Sequence, residues 1–523
     1  MRKLFLLLVV PSALVVAQSK SFDPYARIGF ESITPNDLSA HLHFIASPEL
    51  EGRETTFRGQ KVAARYIASV FQKLGLKPIG DDQSYFQRFD LEVTRISEHS
   101  NIAVTTRKGP KSFTIRRDFL TQSTRDTIYQ APVVFVGYMD ATLDSAAQAL
   151  IKGKIVVAFG GRKGDSKDTS ISAARRVSFS RSFPGSVATM VVADDSGSGS
   201  IDRLYARFSR AMEKTSMRLP GAQTRGGFSF PPVYYISPPL AGELLKEFGK
   251  SLDDVRRKAQ GGRDIKPTTL KQASVRIESK LSREVRQSEN VIGLLEGSDP
   301  AVKDEVVLFT AHYDHEGIGA DGIIFHGADD DGSGTVAVLE LAEAFATNPV
   351  RPRRSVAFMT VTGEEKGLLG SEYYVKHPII PLDKTVADLN IDMIGRTDKK
   401  YDELKVQDYV YVIGSDKISI ELDSLLKTSN NESEALSLDY LYNDENNPDG
   451  FYYRSDHYNF ARNGIPVIFF FTGVHVDYHR PTDTVDKIQF SKMAKITRLI
   501  FYTGWKVANK THRLVTNTPA AAR

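Results

Sequence analysis

The sequence predicts an α/β protein whose mixed, largely parallel sheet is sandwiched by helices, with a β-rich segment inserted into it. Two observations lead there. From about residue 285 onward, apolar runs of buried-strand type alternate with helical patterns, the signature of a sheet covered on both faces. Between about Ile128 and Leu244 that texture gives way to short β-like runs separated by Gly/Ser/Asp loops. A chain of 523 residues also exceeds one ordinary core, so more than one domain is expected.

Residues 1–17 read as a secretory signal. Arg2 and Lys3 form a positive n-region, Leu4 to Val16 is nearly all apolar, and Val15 and Ala17 suit cleavage before Gln18. A short N-terminal anchor is the alternative, but the run is too short to span a bilayer easily. No later segment reaches membrane-spanning length, so no stable membrane anchor is expected. After the signal, Val62, Tyr66, Ile67, Val70, Phe71 and Leu74 repeat at helical spacing, and Gly75 supplies a stop.

The inserted region contributes the runs APVVFVGY, GKIVVAFGG, ATMVVADD and PPVYYISP. Arg-rich stretches such as AARRVSFSRSF interleave with them, as a solvated face or a basic groove. The formal net charge is +4, and removing Arg2 and Lys3 leaves +2. That bias is too weak to argue for nucleic acid or anionic membranes.

The second half reads as strand EVVLFTAH, helix TVAVLELAEAFA, strand RSVAFMTVTG, a helix around Ser371 to Lys376, and strand VADLNIDM. Strands YVYVIG and PVIFFFT follow, then an amphipathic helix from Met493 to Lys510. The tail from 514 to 523 is expected to be unstructured.

Cysteine is absent, so any metal must sit on His, Asp or Glu. Seven of the eleven histidines lie between His312 and His479. Ligands in open α/β sheets gather at the carboxyl ends of strands, and four strand ends here deliver acids or imidazoles. They lead to His312-Tyr313-Asp314-His315, to Glu364-Glu365, to Asp392 and to Tyr478-His479. Asp329, Asp330 and Asp331 crowd together before a helix. Alone they would suit a helix N-cap with solvated neighbours; beside the strand-end groups, their mutual repulsion points to a dication.

Other residues receive plainer readings. His326 and His475 are expected in loops, His377 at a surface helix end, and His41, His43 and His99 in structural roles. Asp456-His457 is either a supporting polar pair or a helix start, and Glu316 either lines a pocket or faces solvent.

The pieces TAHYDHEG, GADDDGSGTVAVLELA, TGEEKGLLGS, NIDMIGR, RSDHYNF and DYHRPTDT occur in an order that resembles the co-catalytic zinc aminopeptidases. That family includes bacterial leucyl aminopeptidases and, more distantly, glutamate carboxypeptidase. The segment IASPELEGRETTFRGQKVAARYIASVFQKLGLKPIGD is similar to the family's opening, and GKIVVA and PPVYYISPPLAGELL are similar to its inserted protease-associated (PA) domain. The resemblance implies a zinc exopeptidase fold divided as 18–114 and 276–513 for the peptidase domain, with 115–275 as the PA insert.

Carried over by position, the resemblance implies that His312, Asp330 and Asp392 bind one Zn2+ and that Asp330, Glu365 and His479 bind the other. Mn2+ or Co2+ could substitute at such ligands. Glu364 becomes the general base, Asp314 orients the His312 imidazole, Tyr478 hydrogen-bonds the oxyanion, and the Asp330–Asp331 peptide is cis. Glu316 departs from the Leu that many relatives carry. The implied protein is a secreted or periplasmic peptidase acting on peptides or proteins, an aminopeptidase before a carboxypeptidase or dipeptidase. A one-metal glutaminyl-cyclase-like reaction and a non-catalytic receptor-like binding protein are the competing readings; the unsubstituted ligand set argues against both.

Overall fold

The computed structural model describes residues 22–517 except 140, 142, 161–182, 195–199, 214, 223–229, 261–265, 320 and 321. The signal at 1–17 and most of AARRVSFSRSF therefore lie outside the described residues.

Strand Val306–His312 is the axis of the main sheet. It pairs in parallel with Ser355–Val361 on one side and Thr385–Ile391 on the other, and the latter pairs in parallel with Val467–Phe471. These four strands share one direction, so their carboxyl ends lie along one edge. Antiparallel neighbours extend the sheet: Leu281–Leu295 then Phe86–Ile96 on one flank, Tyr409–Ile413 on the other. The result is a mixed ten-stranded sheet.

Alternation along the strands explains why both faces are covered. Val307, Phe309 and Ala311 join one apolar core with helices Pro35–Ile45, Arg58–Lys73, Gly334–Thr347 and Phe490–Asn509. Val306 and Leu308 join the opposite core, with Tyr374, Phe460 and Phe469. The helix expected from the 62–74 periodicity spans Arg58–Lys73, and Gly75 follows it at φ +71°, the left-handed stop that glycine tolerates best.

The inserted region forms two further sheets around a core of their own. Val133–Tyr138, Ile155–Phe159, Ala188–Val192 and Val233–Ile236 run parallel within a six-stranded sheet. A four-stranded antiparallel sheet pairs Asn101–Thr106 with Gly109–Thr114 and Ala273–Ser279, so strands before position 115 and up to 279 belong to this unit. Within the insert, Ser216–Arg218 instead joins the main sheet against Phe86–Ile96. Sequence texture does not register such pairing, because register is decided by a distant partner.

The tail differs from expectation over its first residues. Leu514 is buried in the main core, Val515 N donates to Glu421 Oε2 at 2.9 Å, and Asn517 Nδ2 donates to the Asp416 carbonyl at 2.7 Å. These bonds satisfy backbone that would otherwise fray. Residues 518–523 lie outside the described set.

Candidate metal centre

His312 is the last residue of strand Val306–His312, and Asp392 directly follows Thr385–Ile391. Glu364 and Glu365 do not continue a strand: Ser355–Val361 ends three residues before Glu364, and Gly363 at φ +77° opens a turn. The turn, rather than strand alternation, separates the two carboxylates. His479, at φ +53°, comes from the loop after Val467–Phe471.

The loop carrying Asp329 to Asp331 depends on Gly327. That residue sits at φ +56°, and a Cβ there would collide with the Asp330 carbonyl oxygen and the His315 ring. The Asp330–Asp331 peptide is cis, as the resemblance implies.

Asp330 lies at the centre of the cluster. Its Oδ1 is 3.3 Å from His312 Nε2, and its Oδ2 is 3.0 Å from His479 Nε2. On the first side, His312 Nε2 is 3.7 Å from Asp392 Oδ1 and 3.8 Å from Glu364 Oε2. On the second, His479 Nε2 is 3.2 Å from Glu365 Oε2. One carboxylate thus faces two separate His/carboxylate sets.

The three neighbouring aspartates are not equivalent. Asp331 accepts from the backbone N–H groups of His312, Gly334 and Met393 at 3.2, 2.8 and 3.1 Å. Asp329 accepts from Gly395 N at 2.6 Å, and its Oδ2 is 3.2 Å from His475 Nε2. His475, expected as an ordinary loop residue, is therefore buried against the acidic run. Backbone amides and His475 hold the two flanking carboxylates, which leaves Asp330 turned into the cluster.

Several buried polar atoms here lack hydrogen-bond partners: His312 Nε2, Asp330 Oδ2, Glu365 Oε1 and both ring nitrogens of His315. Buried charges without partners are costly, and metal coordination is one way to satisfy them. The Asp and His donors can hold a divalent metal ion; separate trios such as His315, Asp330 and Glu365 bring ligand atoms within 4.8 Å of one another.

The electrostatics agree. Burial disfavours the charged His312 ring, yet Glu364 and Asp392 outweigh it and hold the imidazole well above its ordinary value. Burial likewise opposes the Asp330 carboxylate, but His312 and His479 keep it well below the usual range. Glu365 is drawn down to about 2 despite burial and the charge of Asp330, by the adjoining His315 and His479 rings. Glu364 goes the other way: burial first, then Glu365 and Asp392, push it well above its ordinary value against the pull of His312. Two adjacent glutamates are thus shifted in opposite directions.

The remaining predicted residues fall around this cluster. Asp314 contacts the His312 ring through its main chain, Nδ1 lying 3.1 Å from its carbonyl oxygen and 3.8 Å from its carboxylate. Its carboxylate accepts from Thr55 Oγ1 at 2.7 Å and Glu364 N at 3.3 Å. Tyr478 stacks on His479 with ring centroids 3.9 Å apart. Glu316 is buried, 3.7 Å from His479 Nδ1, and lines a cavity of about 420 Å³. Tyr205 and Met212 of the insert line the same cavity. Asp456 bonds Ser371, and His457 packs face to face on Phe469 in the core, so neither enters the cluster.

Sequence reasoning assigned no role to four supports. His315 Nδ1 is 2.9 Å from Glu365 Oε1, and Ser455 Oγ donates to Asp392 Oδ2 at 2.7 Å. Asp483 accepts from the backbone N–H groups of Asp329 and Asp330 at 3.0 and 3.2 Å. Arg53 donates to the carbonyls of Tyr313, Ile45, His326 and Gly327 at 2.9, 2.7, 2.7 and 2.8 Å. All four occur inside the motif pieces quoted above, which is the signal that was available.

A parallel sheet edge here gathers carboxylates and imidazoles around one aspartate, an arrangement suited to holding divalent metal ions. An aminopeptidase from Aneurinibacillus sp. strain AM-1 has the same fold: the superposition covers 94% of this chain and 98% of that one, with a TM-score of 0.52 and 17% identity. Residues 290–504 match the model of peptidase family M28. Aminopeptidase YwaD of Bacillus subtilis (strain 168) is 26% identical over 250 residues, which cover 46% of this chain and 49% of that protein. Leupeptin-inactivating enzyme 1 of Streptomyces exfoliatus is 33% identical over 199 residues, 38% of each chain. The chain thus spans half or less of the length of these two relatives.

Proposed function

We propose that the chain is a secreted di-zinc peptidase that removes N-terminal residues from peptides. The observation that carries this reading is the Asp330 carboxylate, whose two oxygens face two separate ligand sets. His312 and Asp392 would hold one ion with Asp330, and Glu365 and His479 the other. The similarity to aminopeptidases supports the direction of cleavage.

Bound there, zinc supplies Lewis acidity and lowers the pKa of water toward about 7. The chain's own groups supply the rest. Glu364, which enters neither ligand set, is placed to take the proton of the attacking water and return it to the leaving amine. Asp314 fixes the Glu364 backbone N–H and the His312 ring together. Tyr478 is placed to donate its phenolic hydrogen to the developing oxyanion. Met393, Phe451, Phe469, Phe471 and Val474 line a small pocket beside His312 and Glu364, which suits an apolar side chain at the cleaved bond.

The insert acts as an accessory PA-type unit and contributes no metal ligand. Among the described residues no helix is long and apolar enough to cross a membrane. Secretion rests on the signal-like residues 1–17.

The test is cleavage of matched peptides with free, N-acetylated and C-amidated ends, before and after chelation. Cleavage only where the amino terminus is free, lost on chelation and restored by zinc, is expected. Cleavage that instead requires a free carboxyl terminus would replace this reading with a carboxypeptidase.

A further inference from the structure

A second group of ligating side chains lies between helices Pro35–Ile45 and Gly334–Thr347, away from the strand ends. Glu340 is 2% exposed, and its Oε1 has no hydrogen-bond partner. That oxygen points toward His41, whose Nε2 is 3.6 Å away. Glu343 follows one turn later on the same helix, on the same face. One ligand atom from each of the three residues lies within 4.8 Å of the others.

The histidine is already oriented. His41 Nδ1 lies 2.7 Å from Tyr66 Oη. With Nδ1 as the donor, the lone pair of Nε2 faces Glu340; histidines that bind metals commonly donate their other ring N–H in this way. The surroundings favour a cation. Asp37 adds negative charge near both His41 and Glu340, and Lys73 adds the opposing positive charge near His41. Burial first, then Asp37 and Glu343, push the Glu340 carboxyl up to about 8.

We propose that His41, Glu340 and Glu343 form a divalent-cation site of the zinc class, separate from the strand-end cluster. One imidazole nitrogen with two carboxylates and no thiolate suits Zn2+, Mn2+ or Co2+. Calcium would require six to eight oxygens. Bonds of about 2.0–2.1 Å in a tetrahedral site place ligand atoms about 3.4 Å apart, close to the observed His41–Glu340 separation. Glu340 stands six residues, about 9 Å, along its helix from Gly334, where the loop of Asp329 to Asp331 ends. The ion would pin the N-terminal helix Pro35–Ile45 to the helix that carries that loop. Its role is structural, and the site does not depend on the peptidase reading.

The experiment counts zinc. Full-length mature protein, stripped with chelator and reloaded with zinc, is separated from free ion, and bound zinc per chain is measured by elemental analysis. Glu340→Gln and His41→Gln should each bind one equivalent less than wild type, whatever number the strand-end cluster takes up. Wild-type stoichiometry in either variant overturns the site. If a variant fails to fold, zinc-edge anomalous scattering from zinc-loaded wild-type crystals decides instead. A peak between His41 and Glu340 supports the site, and no peak there refutes it.

Discussion

Arg53 Nη2 donates to the carbonyl of Gly327 at 2.8 Å, joining two positions 274 residues apart. Through this contact the N-terminal segment braces the turn that aims Asp330. Arg53 is fully buried, and its other donors reach the carbonyls of Ile45, Tyr313 and His326. Burial brings the guanidinium down to about 10, while Asp314, Asp330, Asp483 and Asp331 favour its charged form.

Arg53→Ala should therefore cost about 3–5 kcal/mol of folding stability, since it leaves buried carbonyls unsatisfied and removes a cation from an acidic interior. Urea unfolding of the two proteins measures this. Arg53→Lys keeps the charge but loses the planar fork, and should fall between them. A loss within 0.5 kcal/mol for the alanine variant would contradict the bracing role.

Glu364 and Glu365 should separate cleanly on substitution. Glu364→Gln should keep the fold and bound zinc while the rate falls by about 10²–10⁴-fold. Glu365→Gln should lose zinc affinity and thermal stability as well as rate. Metal analysis beside kinetics tells them apart, and the reverse pattern would exchange the two assignments.

Ser455 reaches the cluster only through Asp392. Ser455→Ala should lower zinc affinity or activity by about 10–100-fold, the usual range for a group that orients a ligand. Zinc-binding isotherms of the variant and wild type check this, with an unchanged affinity and rate as the contrary result.

His457 sets a pH dependence of stability. Burial holds its imidazole down to about 3, against an ordinary 6.5. Between those values the unfolded chain binds the proton and the folded chain does not, so folding stability falls as pH drops from 6.5 toward 3. The span caps this contribution at about 5 kcal/mol, at about 1.4 kcal/mol per pH unit. His457→Phe, stacking on Phe469 without titrating, should flatten that part of the stability–pH curve. Parallel curves for both proteins would show that His457 does not carry it.

Periodicity and local chemistry made much of this molecule readable in the chain itself. Strands such as VVLFTAH and SVAFMTV declare themselves because both of their faces must be apolar, and helix Arg58–Lys73 because only one of its faces is. The motif pieces contain His312, Asp330, Glu364, Glu365, Asp392 and His479, and acids and imidazoles clustered shortly after strands are a local pattern. Tertiary structure decided what each side chain faces. It turned Asp331 onto backbone amides and Asp329 toward His475, placed the Asp314 carbonyl nearer His312 than its carboxylate, and bound the tail through Asn517. It also joined His41 to Glu340, 299 positions apart. Hydrophobic period is a property of neighbouring residues and can be read along a chain. Hydrogen-bond partners and shared charge arise only when distant segments meet, and these are settled by packing.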